Sequence, residues 1–154
     1  MPQRARQILL MEEAQVARVA AIAAECFSEP WSERAYRSEL QNPQAITLVA
    51  LEDGAVVGFV NAAFAADQVD LNTVAVTAAA RKRGIGRALL TTLEAWVADF
   101  AAAIFLEVRE SNTPAQALYA AMGYVQVGRR PRYYHEPDED GLLLRKPLRQ
   151  EDVT

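Results

Sequence analysis

The sequence predicts an α/β domain in which a mixed seven-stranded sheet carries helices on both faces, and three observations point there. β-prone and helix-periodic stretches follow one another in the order strand, two helices, three strands, helix, strand, helix, two strands, which is neither a bundle nor a run of hairpins. An apolar stretch ending at Val76 passes through small residues into the basic, glycine-bearing segment Arg81-Lys82-Arg83-Gly84-Ile85-Gly86-Arg87 and then into a helical pattern. About half of the 154 residues are apolar (51%), enough for the core of a single domain, taken here as residues 1–154.

In chain order, Gln7 to Met11 reads as a first strand. Val16, Val19, Ala20, Ala23, Cys26 and Phe27 then recur at helical spacing until Ser28-Glu29-Pro30 interrupts them. Ser32 is placed to cap a second helix that carries Tyr36 and Leu40 on one face and stops at Asn42-Pro43. Ile46 to Leu51 and Ala55 to Ala65 are strands joined by a Glu52-Asp53-Gly54 turn, and another strand runs from Asp67 to Val76. The helix Ala88 to Phe100 lines up Ile85, Leu89, Leu90, Leu93, Trp96, Val97 and Phe100 on one face. Ala103 to Val108 is a short apolar run typical of a central strand. In Thr113-Pro114-Ala115-Gln116, Thr113 is the expected N-cap and proline takes the first helical position; Gly123 ends that helix. Two closing strands, Tyr124 to Arg129 and Gly141 to Arg145, leave Arg130 to Asp140 as a polar loop.

A glycine-rich loop at a helix N-terminus is an anion site, because the first amides lack partners and the helix dipole adds partial positive charge. Arg81, Lys82, Arg83 and Arg87 add full charges, so the loop is expected to bind a phosphorylated ligand. The nucleotide-hydrolase loop needs Gly-x-x-x-x-Gly-Lys-Ser/Thr, which is absent, and the dinucleotide fingerprint needs a third glycine where Leu89 stands. The string Arg81-x-x-Gly84-x-Gly86 resembles the acyl-CoA loop of the Gcn5-related N-acetyltransferases.

Further along, Glu107 interrupts a buried-strand pattern. A carboxylate there is costly unless solvated, paired or used, so an ion pair with an arginine, an exposed strand end and a catalytic role all stay open. Asn112 taken alone is a turn residue, and Tyr119, two helical turns on, is a half-buried aromatic. The longer string Asn112-x-x-Ala115-x-x-x-Tyr119-x-x-x-Gly123-Tyr124 resembles the second acyl-CoA motif of the same family, and the resemblance extends from about Ile8 to Leu148.

Pro30-Trp31-Ser32, Leu106-Glu107-Val108-Arg109-x-Ser111-Asn112, and Arg130-x-x-Tyr133-Tyr134 followed by Glu139-Asp140 together resemble the bacterial RimI group of ribosomal-protein alanine N-acetyltransferases. Arg132 and His135 depart from that pattern, standing where members carry asparagine and proline. The resemblance implies an acyl-CoA N-acyltransferase fold with a mostly antiparallel sheet. It implies direct acetyl transfer from acetyl-CoA to the N-terminal alanine of a small-subunit ribosomal protein, with Glu107 as general base and Tyr119 as general acid. It further implies acetyl-CoA contacts from Val74, Ala75 and Val76, from Lys82, Arg83, Gly84, Ile85, Gly86 and Arg87, and from Asn112. Trp31, Tyr133 and Tyr134 sit in non-regular stretches and either pack loops onto the core or line the groove for a peptide's first residues.

The single cysteine, Cys26, and single histidine, His135, form no disulfide or metal set by themselves; no metal cofactor is expected, and Cys26 is expected in the core. A net charge of −4 does not indicate nucleic-acid binding. No apolar run approaches the ~20 residues of a membrane span, and Ile8 to Met11 is too short for a signal-peptide core, so a cytoplasmic location is expected. The sequence does not fix the oligomeric state, and a monomer is compatible with it. Two other functions compete. One is an acetyltransferase of the same fold acting on a lysine or a small amine, and a small-molecule enzyme would close the Tyr133-Tyr134 groove into a pocket; the other, a non-catalytic acyl-CoA module, would keep the loop without needing Glu107 and Tyr119.

Overall fold

The structure, a computed structural model, describes residues 5–134 and 138–148. Its elements are β1 (Arg6–Leu10), α1 (Val16–Cys26), α2 (Glu33–Glu39), β2 (Ala45–Glu52), β3 (Ala55–Ala65), β4 (Gln68–Val76), α3 (Ile85–Val97), β5 (Ala103–Arg109), α4 (Thr113–Ala121), β6 (Val125–Tyr134) and β7 (Glu139–Pro147). Among these residues the seven strands form one sheet in the order β1-β2-β3-β4-β5-β7-β6. Every pairing is antiparallel except that of β4 with β5.

Local chemistry accounts for most element ends. Asp53 and Gly54 both take positive φ (51° and 85°), the two-residue turn that matches strand twist and joins Glu52 to Ala55. Ser32 caps α2 by accepting from the Ala35 N–H at 3.1 Å. Asn112, not Thr113, caps α4: its Oδ1 accepts from the Ala115 N–H at 3.2 Å, which moves Pro114 to the second helical position. Gly123 follows α4 with φ 95°.

β2 is buried along nearly its whole length, as a central strand covered on both faces must be. One face packs Val16, Val19, Ile22 and Ala23 of α1 and Tyr36 of α2. The other packs Ile85, Leu89, Leu90, Leu93 and Val97 of α3 together with Tyr119 of α4. α3 starts at Ile85, three residues before the expected Ala88, and ends at Val97. Trp96 (50% exposed) and Phe100 (37%), which lies past the helix end, border a surface hollow with Leu10, Ile46 and Phe64, the Phe100 ring edge-on to Phe64 at 5.2 Å. A second correction concerns the segment Arg130 to Asp140. It is not one loop: β6 runs to Tyr134 and β7 starts at Glu139, with Tyr134 opposite Glu139. His135 lies outside the described residues.

The parallel ladder is short. Gln68 to Leu71 pair with Ala103 to Leu106, and pairing then stops, although β4 stays bonded to β3 as far as Val76 and β5 to β7 as far as Arg109. The sheet therefore opens between Asn72–Val76 and Glu107–Arg109. A bulge marks the point where it opens: Asn61 faces Thr73 and Ala62 faces Leu71, leaving Asn72 extra. A buried polar chain pins it, Asn72 Nδ2 donating to Asn61 Oδ1 (2.9 Å) and Asn61 Nδ2 to Thr47 Oγ1 (2.8 Å).

The spacing of β3 and β4 at the opening is set by Gly58, where an added Cβ would meet the Ala75 carbonyl at 2.8 Å. Gly58→Ala is expected to push β4 away and lower unfolding free energy by about 1–3 kcal/mol, read from urea denaturation. An unchanged midpoint would mean that β4 yields freely at Ala75.

Candidate active site

The opening in the sheet is a cleft of about 840 Å³. Val74 of β4, Glu107 and Arg109 of β5, Asn112, Ala115 and Tyr119 around α4, the Cys26–Trp31 segment after α1, and Tyr133, Tyr134 and Glu139 of the β6–β7 hairpin line it. The sequence-predicted Glu107, Tyr119, Val74, Asn112, Trp31, Tyr133 and Tyr134 are thus brought to one cavity.

Strand alternation buries Leu106 and Val108 in the α3 core and turns Glu107 to the opposite face, into the opening. Its Oε1 pairs with Arg130 Nε at 3.0 Å; its Oε2 is buried and accepts no hydrogen bond among the described residues. Arg130 also lies over the Tyr133 ring at 5.4 Å. Tyr119 is buried edge-on against Tyr124, ring centroids 5.6 Å apart. Burial, reinforced by Tyr134, holds the Tyr119 hydroxyl well above the usual tyrosine range. Tyr134 is pushed up to about 12 by burial first and by the Glu107 charge second, with Arg109 opposing. On the far wall Tyr36, also raised to about 12 by burial, is hydrogen-bonded to Thr73 and packs against Trp31 at 5.4 Å.

Arg109 ties the wall together. Its guanidinium sits over the Tyr134 ring at 4.6 Å, pairs with Glu139 at 3.2 Å and reaches Ser28 Oγ at 3.5 Å. Ser111 Oγ donates to the same Glu139 oxygen at 2.9 Å. Burial alone would raise the Glu139 carboxyl, but the Ser111 hydroxyl and Arg109 outweigh it and the net shift is downward.

The basic loop adjoins the cleft through Arg81, whose Nε donates to Val76 O at 3.0 Å and whose Nη2 reaches Cys26 Sγ at 3.3 Å. Thr77 N–H donates to Val57 O on β3, so by strand alternation the Val74 and Val76 backbone groups face away from β3, toward the opening. Ala75 and Ile85 have their side chains in the two cores and offer only backbone. Gly84, at φ 78°, is the N-cap of α3. At Gly86 a Cβ would make only an ordinary contact with Leu118 at 3.6 Å. The expectation of four outward charges is corrected for two: Arg81 turns back to Val76, and Arg83 turns inward to Glu52 at 3.1 Å. Lys82 and Arg87 are exposed and unpaired among the described residues.

Cys26 is half-buried in the cleft wall and not in the core, its Sγ 3.5 Å from Val76 O. Asn112 lines the cleft while its side-chain oxygen serves as the α4 cap. Arg109, Arg130 and Glu139 had appeared only as letters of longer motifs. Their part in the wall follows from pairing across β5, β6 and β7, for which a single sequence holds no local signal. Among the described residues no group of three or more His, Cys, Asp or Glu is placed to hold a metal ion.

Because the Glu139 carboxyl is depressed in the folded state, its stabilisation is complete above the ordinary glutamate value of 4.5 and is lost as pH falls through the lower folded value. Glu139→Gln is therefore expected to lower the thermal midpoint at pH ~7, with the gap to wild type closing as pH drops below the ordinary carboxyl range. A gap that persists in acid would mean the contribution is not one of charge.

The profile of the acetyltransferase (GNAT) family matches residues 16–124. The chain is 33% identical over 144 residues to the N-alpha-acetyltransferase RimI of Mycobacterium tuberculosis, covering 88% of this chain and 89% of that protein. It is 36% identical over 141 residues to an uncharacterized protein of Mycobacterium leprae, a match over 86% of this chain that spans only 38% of the relative's length. Among solved structures, the ribosomal-protein-S18-alanine N-acetyltransferase of Escherichia coli is similar with a TM-score of 0.88 at 26% identity, over 96% of this chain and 97% of that one. With the family profile covering most of its length and its sheet opening between β4 and β5, the chain belongs to the GNAT acetyltransferase family.

Proposed function

We propose that this chain acetylates the N-terminal alanine of a small-subunit ribosomal protein in the cytoplasm, by direct transfer from acetyl-CoA. The observation that carries the reading is Glu107 Oε2, a buried carboxylate oxygen without a hydrogen bond among the described residues, on a side chain that lines the same cleft as Tyr119. The names of the E. coli and M. tuberculosis relatives support the choice of an N-terminal amine.

The loop suits a CoA tail. The amides of Gly84, Ile85 and Gly86 open α3, and Lys82 and Arg87 add outward charge for phosphate. Bound there, acetyl-CoA supplies a thioester carbonyl as the acyl donor. Val74 and Val76 direct backbone groups into the opening, where an N–H steadies negative charge as it develops on that carbonyl's oxygen. Asn112 borders the same space. Glu107 Oε2 takes the proton of the substrate ammonium, directly or through water. An α-amine, with a pKa of ~7.7–8 against ~10.4 for lysine, needs far less help to deprotonate at neutral pH, so one carboxylate suits it better. Tyr119, held protonated by its burial, donates a hydrogen bond to the leaving sulfur. Trp31, Tyr133 and Tyr134 form the apolar wall of the peptide groove and admit a small first residue.

Glu107→Gln is expected to lower kcat/KM about 100-fold near pH 7, with the deficit shrinking as the amine deprotonates unaided at higher pH. A deficit constant across pH would assign Glu107 a positioning role instead. For the substrate, peptides differing only at position one are assayed on wild type and Tyr134→Ala. The variant's peptide KM should rise roughly tenfold, the KM for acetyl-CoA much less, and selection against larger first residues should relax. A wild type indifferent to the first residue, or one preferring a lysine side chain, would sink the ribosomal-protein assignment.

A further inference from the structure

We infer that Glu52, together with Arg6 and Arg83, is the positioning device of the basic loop, and that Arg83 serves the loop from behind and is not a ligand of phosphate. The inference rests on the loop's reading as a CoA site and adds three residues to it.

Glu52 ends β2 and is only 5% exposed. A carboxylate buried so deeply requires cationic partners, and among the described residues two arginines from different parts of the chain lie against it. Arg83 Nη1 lies 3.1 Å from Oε1, an ion pair outside hydrogen-bond geometry, and Arg6 Nη2 lies 3.6 Å from Oε2. Both guanidiniums also grip the loop backbone. Arg83 Nε and Nη2 donate to the Ala80 and Ala79 carbonyls at 3.4 and 3.3 Å, and Arg6 Nη2 donates to Arg83 O at 3.0 Å. Glu52 is thus the fixed anion around which residues 79–83 are wound.

The winding forces an unusual backbone. Lys82 holds φ 64°, a left-handed conformation that a residue with a Cβ keeps only when its surroundings over-determine it. The Glu52 cluster is that surrounding. It also aims a donor. In a trans peptide unit C=O and N–H point in opposite directions, so the Arg6 bond to Arg83 O turns the Gly84 N–H away from the cluster, at the start of α3. Amides fixed this way do not have to be ordered by the ligand, which strengthens binding.

The test measures CoA affinity of the intact, ligand-free protein by calorimetry, beside hydrogen exchange of the loop amides. Glu52→Gln and Arg83→Met should each weaken CoA binding roughly tenfold, and the double variant should be no weaker than the worse single, since both break one unit. Arg83→Lys should lose as much as Arg83→Met, because a lysine keeps the charge but not the fork that spans Glu52 and two carbonyls. The amides of Gly84 to Gly86 should exchange faster in Glu52→Gln without ligand, while those of α4 do not change. The peptide KM should hold. If Glu52→Gln fails to fold, the exposed Arg6→Met carries the same predictions. Unchanged exchange, full rescue by Arg83→Lys, or additive losses in the double variant would overturn the inference and make Arg83 a direct ligand. Gly84→Asp separates this from the loop reading: if that variant binds CoA normally, the loop is not the CoA site. If it abolishes binding while the cluster variants are neutral, only the positioning role falls.

Discussion

Four residues of parallel pairing, Gln68 to Leu71 against Ala103 to Leu106, join the two halves of the sheet, and every functional feature depends on that ladder stopping where it does. Past Leu71 the β4 backbone keeps one neighbour and loses the other, so polar groups at Val74 and Val76 face a cleft instead of a strand. Such backbone must find partners elsewhere: Val76 O accepts from Arg81 Nε and Cys26 Sγ, and groups left open persist only beside water or a ligand. Continuing the ladder would have closed the cleft and taken Glu107 out of it. Asn72 prevents this by bulging at the last pair, and Asn61, wholly buried, fixes the bulge with a side-chain amide that finds partners on both sides.

Around the opening, burial and charge act in a consistent direction. Tyr36, Tyr119 and Tyr134 all have raised hydroxyl pKa values, and in each the largest cause is burial. They therefore present neutral O–H groups at physiological pH. The carboxylates are treated differently: Glu107 and Glu139 each have an arginine at about hydrogen-bonding distance (3.0 and 3.2 Å). Those arginines, Arg130 and Arg109, also lie over Tyr133 and Tyr134, so one pair of cations both pairs with the carboxylates and sets the aromatic wall.

What was legible in the sequence was what local chemistry decides. The Asp53-Gly54 turn, the Ser32 cap and the glycine loop opening α3 each follow from residues within a few positions. The two closing strands were read from the sequence, but the extension of β6 past Arg129 to Tyr134 was not legible, because Arg129-Arg130-Pro131-Arg132 has no apolar alternation. Its strand character comes from pairing with β7, with irregular register and Arg132 at φ 51° held by an Asp140 bond at 3.0 Å. Trp96 fits the helical stripe but borders a surface hollow and is half exposed, a matter of tertiary placement. For Glu107 the ion-pair reading holds on one oxygen, Oε1 against Arg130, while Oε2 is buried without a hydrogen bond among the described residues.

The basic loop shows most plainly why counted charge and usable charge differ. Four cations lie within seven positions of sequence, Arg81 to Arg87, yet Arg81 and Arg83 spend their forks on backbone carbonyls and on Glu52. An arginine fork satisfies several acceptors at once, so it suits the inside of a loop; Lys82, a single flexible point charge, is left outside. The buried anion on β2 takes Arg83 out of the outward set, as Val76 O takes Arg81. What remains outward is the start of α3 with the amides of Gly84 to Gly86 and the two side chains, Lys82 and Arg87, that neither holds, and the proposed CoA site rests on these.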